Sequence, residues 1–339
     1  MRLAWPCTAI GGVALLATAC RFLSPTSTDA LALEPRPTDR LLVFAPHPDD
    51  EALAAAGLMR RMRMSGAAVH VVLLTSGDAF SEGVKTVEDT QRPTRRDFRE
   101  YGRRREQESI AGLSLLDIDR ASVTFLGFPD GGLCLIASRY LSAKKSPLRS
   151  QYTGRDEPPA DEQLIRGVAY RGADIRREIE SILTTFKPTL LVLPHPEDRH
   201  PEHCGTAIFV REALDAIAKN PGSVPAPRVL HYLIHYDRWP NLDEDPASTL
   251  RPPADFPKSG EQWRALTLTK EETAIKQRAI GAYASQIEVI GRFLRAFARP
   301  NELFLEGTST TAAECWCDAE HVATEIPPDR SRRRPPPRQ

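Results

Sequence analysis

Short apolar runs recur along the chain, each followed by a longer segment with helical spacing. RLLVFA (40–45), AAVHVVLLTSG (67–77), SVTFLGF (122–128), TLLVLPHP (189–196) and PRVLHYLIH (227–235) are rich in β-branched and aromatic residues and bounded by turn formers. Each therefore reads as a buried strand. Between them, residues 50–66, 96–118, 175–188 and 202–220 place apolar side chains at helical spacing; Gly66 closes the first and Pro188 stops the third. One further long helix is expected over residues 270–297. Strands alternating with helices imply βαβ units, so the predicted fold is α/β, a Rossmann-like, mostly parallel sheet with helices on both faces. Residues 134–170 are polar and irregular. A loop of that length in a compact domain is usually functional or mobile.

Composition narrows the function. The chain has 339 residues, 41% of them hydrophobic, enough for a real core in one large domain or two small ones. Its formal net charge is zero, which argues against nucleic acid as a partner held by bulk charge. The first residues, MRLAWPCTAIGGVALLATAC, have the order of a secretory signal: a basic start, an apolar stretch, then small residues. The end of that stretch, Leu16 to Cys20, resembles a bacterial lipoprotein signal. Residues 1–19 are thus expected to be removed and Cys20 to be lipidated, anchoring an exported protein in the cell envelope; an ordinary secretory signal is the alternative. Residues 20–38 read as a flexible tether, 39–305 as the functional domain and 306–339 as a C-terminal extension, disordered from about residue 327, where proline and arginine dominate. Cys134, Cys204, Cys315 and Cys317 then remain, an even number in an oxidising compartment, so one or two disulfides can form.

Two polar clusters follow predicted strands. One is His47-Pro48-Asp49-Asp50-Glu51, the other runs from His195 to His203. In an open parallel sheet ligands bind beyond the carboxyl ends of the strands, so both clusters can meet at one edge. Three adjacent carboxylates repel one another and are costly to desolvate, so either they cap a helix in water or a cation holds them. Mixed imidazole and carboxylate donors suit zinc bound by two histidines and one acid. His47 and Asp50, three residues apart, can face one point, which leaves Asp49 free to act as a base toward water whose pKa zinc lowers to roughly 7.

At these residues the chain resembles the LmbE/PIG-L family of zinc-dependent N-acetylglucosamine deacetylases, through HPDDE after the first strand and His200-Pro201-Glu202-His203 after a later one. Further echoes are Thr75 to Asp78, Arg105 with Glu108, Phe128 to Gly132, Tyr283 to Gln286, and Asn301-Glu302. The resemblance implies that His47, Asp50 and His203 bind zinc, that Asp49 is the general base, and that His200 stabilises the oxyanion or protonates the leaving amine. Arg105 and Asp130 are candidates for substrate hydroxyls, although Arg105 fits a solvated helix face equally well. Asp198 is either a partner of a ligating histidine or exposed, and His195 is expected at the surface or behind the ligands. Glu202 stands where the family usually has aspartate. The aromatic residues of 270–297 are expected in the core. The implied substrate is an N-acetylated amino sugar or glycoconjugate. A zinc hydrolase of another amide or ester bond, or a non-catalytic glycan-binding module of the same fold, is the alternative.

Overall fold

A computed structural model describes residues 28–142, 144–219, 225–256 and 260–307. The expected signal, Cys20, residues 20–27 of the tether, Cys315, Cys317 and the tail lie outside the described residues.

The described residues contain one eight-stranded sheet. In chain order the strands are β1 Thr28–Ala30, β2 Arg40–Ala45, β3 Ala68–Thr75, β4 Val123–Phe128, β5 Leu190–Pro194, β6 Arg228–Tyr232, β7 Gln262–Thr267 and β8 Asn301–Glu306. The helices are α1 Asp50–Met64, α2 Ser81–Val87, α3 Arg95–Ser114, α4 Leu133–Arg139, α5 Gly172–Phe186, α6 Pro201–Ala218, α7 Lys270–Gly281 and α8 Ala284–Arg295. The sheet order is β1-β7-β8-β6-β5-β2-β3-β4. All pairings are parallel except those of β8 with β6 and β7. The order turns from β2: β3 lies on one side and β5 on the other. That arrangement makes a topological switch point, the crevice where such sheets bind ligands.

Burial on both faces follows from the continuous apolar strands. Leu41, Val43 and Ala45 of β2 enter one core, while Leu42 and Phe44 enter the other. The predicted α/β class and mostly parallel sheet are what the chain adopts.

Several elements differ from expectation. The single helix expected over 270–297 is two, α7 and α8, because the chain breaks at Ala282-Tyr283. Tyr283 turns inward and its hydroxyl donates to Glu51 Oε1 at 2.7 Å. Ser285 then donates to Glu108 through its N–H at 2.9 Å and its hydroxyl at 2.6 Å. Residues 28–30 fall within the stretch read as tether, yet they form β1 against β7. Strands β7 and β8 were not expected.

A buried ion pair fixes the break inside α1. Ala55 leaves the helical region there, with φ −140° and ψ 19°. Glu302 accepts the freed N–H groups of Gly57 at 2.7 Å and Leu58 at 2.9 Å. Lys276 Nζ donates to Glu302 and to the Leu53 carbonyl, both at 2.8 Å. Removing one partner strands a buried charge, at a cost of about 3–5 kcal/mol. Lys276→Met should therefore lower unfolding stability by that amount in urea titration; a loss below about 1 kcal/mol would contradict the assignment.

Cys134 and Cys204 pack together and are disulfide-bonded. The bond ties α4 to the first turn of α6. Closing a loop of that length stabilises by about 2–5 kcal/mol. Reductant should lower the urea midpoint accordingly, and equal midpoints with and without reductant would contradict this.

Candidate active site

The carboxyl ends of β2, β5 and β6 bring the two predicted clusters together, and each of the three adjacent acids has its own partner. Asp50 Oδ2 lies 3.1 Å from His47 Nδ1 and 3.1 Å from His203 Nε2. Asp49 Oδ2 lies 3.1 Å from Arg105 Nη2. Glu51 accepts the Asp49 N–H at 2.9 Å and the hydroxyls of Ser109 and Tyr283. Glu51 therefore holds the turn in which Asp49 sits. That turn is strained: Asp49 has φ 129°, rare for a residue with a side chain. No side-chain cap is formed at Asp49, so capping does not explain the acids.

Each of these two histidine rings has a second carboxylate beside it. Asp198 Oδ2 lies 3.2 Å from His203 Nδ1, and Asp130 Oδ1 lies 3.2 Å from His47 Nε2. Such carboxylate–histidine pairs orient metal-binding imidazoles. Asp198 also accepts the backbone N–H groups of His200, Ile234 and His235 at 3.0, 2.8 and 3.0 Å. Of its two readings, the buried partner of a histidine is the one the fold adopts.

Arg105 and Asp130 line the cavity, but their contacts differ from the hydroxyl-binding expectation. Arg105 is buried rather than on a solvated helix face; besides Asp49 it donates to the carbonyls of Gly77 and Pro48, at 2.8 and 2.7 Å. A Cβ at Gly77, where φ is +61°, would overlap its guanidinium. Asp130 accepts from Ala79 N at 2.7 Å and Gly131 N at 2.9 Å in addition to facing His47. His195 is fully buried, accepting the Glu197 N–H at Nδ1 and placing Nε2 2.9 Å from Glu261. It organises the loop behind the site and is not at the surface.

His200 and Glu202 face the cavity. The His200 side chain is 35% exposed, and its Nδ1 lies 3.3 Å from Glu202 Oε2. The longer glutamate arm thus still reaches the histidine. His47, Asp49, Asp50, Arg105, Asp130, His200 and Glu202 surround a cavity of about 330 Å³, with His203 and Asp198 behind. His235 also lines it, and sequence reasoning missed it. Its signal was present, since it ends the fifth apolar run, where the strand-end rule points.

The electrostatics separate the roles. Burial pushes the Asp49 carboxyl up to about 7, against the pull of Arg105. Asp50 is also buried, yet His203 and His47 hold it well below the usual carboxylate range. Burial lowers His203, but Asp198 and Asp50 outweigh it and raise it to about 9. Burial, together with the neighbouring His47 and His235, pushes His200 well below its ordinary value. His203, raised between the lowered Asp50 and Asp198, marks the point in the pocket that draws positive charge.

The donor set fits a divalent cation. Three combinations of donor atoms lie within 4.8 Å of one another: His47 with His200 and His203, Asp50 with His203 and His235, and His47 with Asp130 and Glu202. The expected set of His47, Asp50 and His203 is not one of these three; its two histidines meet at the same Asp50 oxygen. Both ring nitrogens of His203 are buried without a well-formed hydrogen bond. An imidazole so placed beside a carboxylate is what a cation ligand requires.

Fold and site together define the class: an open α/β sheet with a histidine–carboxylate centre at its switch point. Residues 42–214 match the GlcNAc-PI de-N-acetylase (PIG-L) family, and the chain belongs to that family. The chain is also similar to solved structures. The zinc-inhibited form of a teicoplanin deacetylase is 18% identical, the match covering 81% of this chain and 100% of that one, with a TM-score of 0.50. The N,N'-diacetylchitobiose deacetylase of Pyrococcus horikoshii is 17% identical over 78% and 82%, with a TM-score of 0.46. The 4-carboxy-2-hydroxymuconate hydratase of Pseudomonas putida is 15% identical over 77% and 83%, with a TM-score of 0.47.

Proposed function

We propose that the chain is a metal-dependent hydrolase that removes an N-acetyl or other acyl group from an amino sugar or glycoconjugate. Family membership supports the reaction class. The observation that carries the reading is the pair of imidazole nitrogens, His47 Nδ1 and His203 Nε2, each 3.1 Å from the same Asp50 oxygen. These three residues would hold the cation, with zinc favoured by the mixed nitrogen and oxygen donors. When bound, such an ion supplies Lewis acidity, polarising an amide carbonyl and making water a better nucleophile near neutral pH.

The remaining steps belong to the protein. Asp49 takes the proton of the attacking water; a carboxyl raised to about 7 is a competent base near neutral pH. Arg105 holds that carboxylate in place. His200, open to the cavity and kept neutral by burial, donates its Nε2–H to the developing oxyanion, while Glu202, whose carboxyl burial raises to about 7, lies 3.3 Å from Nδ1. Asp49 then returns its proton to the leaving amine, so the amide C–N bond breaks as the amine gains a proton.

The Cys134–Cys204 disulfide supports the expected export, because such bonds persist in oxidising compartments. The test of the reaction is release of acetate from free N-acetylglucosamine, its glycosides, chito-oligosaccharides and lipid-linked forms. Metal-loaded protein should release acetate from at least one and chelated protein from none. Equal release in chelator would contradict the metal dependence, and none in either state would contradict N-acetyl as the group removed.

A further inference from the structure

We infer that His235 is a further ligand of the cation, a fourth protein donor beside His47, Asp50 and His203. This rests on the metal-dependent reading above.

The fold carries His235 to that point. Strand β6 runs parallel to β5, with Tyr232 opposite Pro194, so the segments leaving the two strands start side by side. One holds Asp198, His200 and His203; the other reaches His235 three residues after β6. Asp198 joins them. Its Oδ2 accepts the His235 N–H at 3.0 Å and lies 3.2 Å from His203 Nδ1. The His235 carbonyl accepts the Arg199 N–H at 2.8 Å. The backbone of His235 is thus pinned on both sides, on one of them by the carboxylate that faces a proposed ligand.

The ring is placed as well. It stacks on Phe293, with centroids 5.4 Å apart and planes at 19°. Phe293, expected in the core with the other aromatic residues of 270–297, lines the cavity beside it. The His235 ring stands edge-on to His203, 4.9 Å away with planes at 85°. Among the described residues no hydrogen bond engages its ring nitrogens. A neutral imidazole held by its backbone and by stacking keeps a nitrogen lone pair available to a cation.

The donor sets select His235 over the other histidine at the cavity. Of the three compact sets, the one with His203 and His235 is the one that contains Asp50. Asp50 is also where the His47 and His203 nitrogens converge. The set with His200 has no carboxylate, and His200 Nδ1 is turned to Glu202 at 3.3 Å. Three imidazoles and one carboxylate are a donor mixture that zinc accepts, and zinc sites can expand to five-coordinate, which leaves a position open.

The test reads the metal directly, on the full chain. His235→Phe keeps a ring to stack on Phe293 and removes the nitrogens. Zinc affinity by isothermal titration should fall at least about tenfold, since losing even an outer hydrogen-bond partner costs 10–100-fold. Zinc has no d–d spectrum, so cobalt(II) is loaded in its place to report the coordination number. Five-coordinate cobalt absorbs weakly in the visible and tetrahedral cobalt strongly, so the bands should intensify from wild type to variant. His235→Ala is the second variant, should the first fail to fold; added imidazole should return its cobalt bands to those of wild type. Cobalt bands that do not change in either variant overturn the inference, whatever happens to affinity, because His235 then acts from outside the coordination sphere. Cobalt and zinc that bind the wild-type chain in neither case overturn this inference and the metal-dependent reading together.

Discussion

Asp49→Asn is expected to lower kcat by about two to four orders of magnitude, the range for removing a general base, while the bound metal stays. Asparagine is nearly the same size and its amide oxygen still accepts from Arg105 Nη2, so the strained turn is kept. What it loses is the ability to take a proton. KM should change little, because Asp49 is argued to act on water and not on the sugar. The pH profile gives an independent readout. The base works only when ionised, so activity should rise with pH through the Asp49 pKa. Burial sets that pKa at about 7 with Arg105 opposing it, and a neighbouring cation pulls in the same direction as Arg105. The acid limb should therefore lie at or below about pH 7 and vanish in the variant. Near-normal turnover in Asp49→Asn, with metal content confirmed, would remove Asp49 from its role.

The second large effect is on metal binding. His203 is fully buried between Asp50 and Asp198, so His203→Ala removes one of the three proposed ligands and leaves both carboxylates without their shared partner. Metal affinity should fall by more than the 10–100-fold typical of losing an outer hydrogen-bond partner. Asp198→Asn should fall within that outer range, since its ring partner stays. Isothermal titration with zinc on the refolding-competent variants checks both, with circular dichroism to establish that each is folded. An unchanged affinity in His203→Ala would exclude it as a ligand.

Much of this site was legible in the chain because two local patterns coincide. HPDDE and the 195–203 cluster each follow an apolar run that could only be a strand, and a parallel sheet places such ends on one edge. Spacing also separated Asp49 from Asp50, and in the structure one carboxylate faces two histidines and the other an arginine. What sequence could not supply was long-range pairing. Arg105 sits in the charged run RRREQE, and nothing local distinguishes a guanidinium buried against Asp49 from one in water. The break at Tyr283 was hidden for the same reason, since its cause is Glu51, far away in the chain. Strands β7 and β8 alternate only weakly and depend on each other for pairing. His235 shows a different failure: the rule that found His47 applied to it, but a lone histidine without neighbouring acids gave no pattern.

The central claim is that His47, Asp50 and His203 hold one catalytic cation. The most direct measurement is the metal content of the purified chain, supplied with zinc and then dialysed, by mass spectrometry of the elements. One ion per chain is predicted, lost in Asp50→Ala. No metal in the wild-type chain, or an equal amount in Asp50→Ala, would contradict the account.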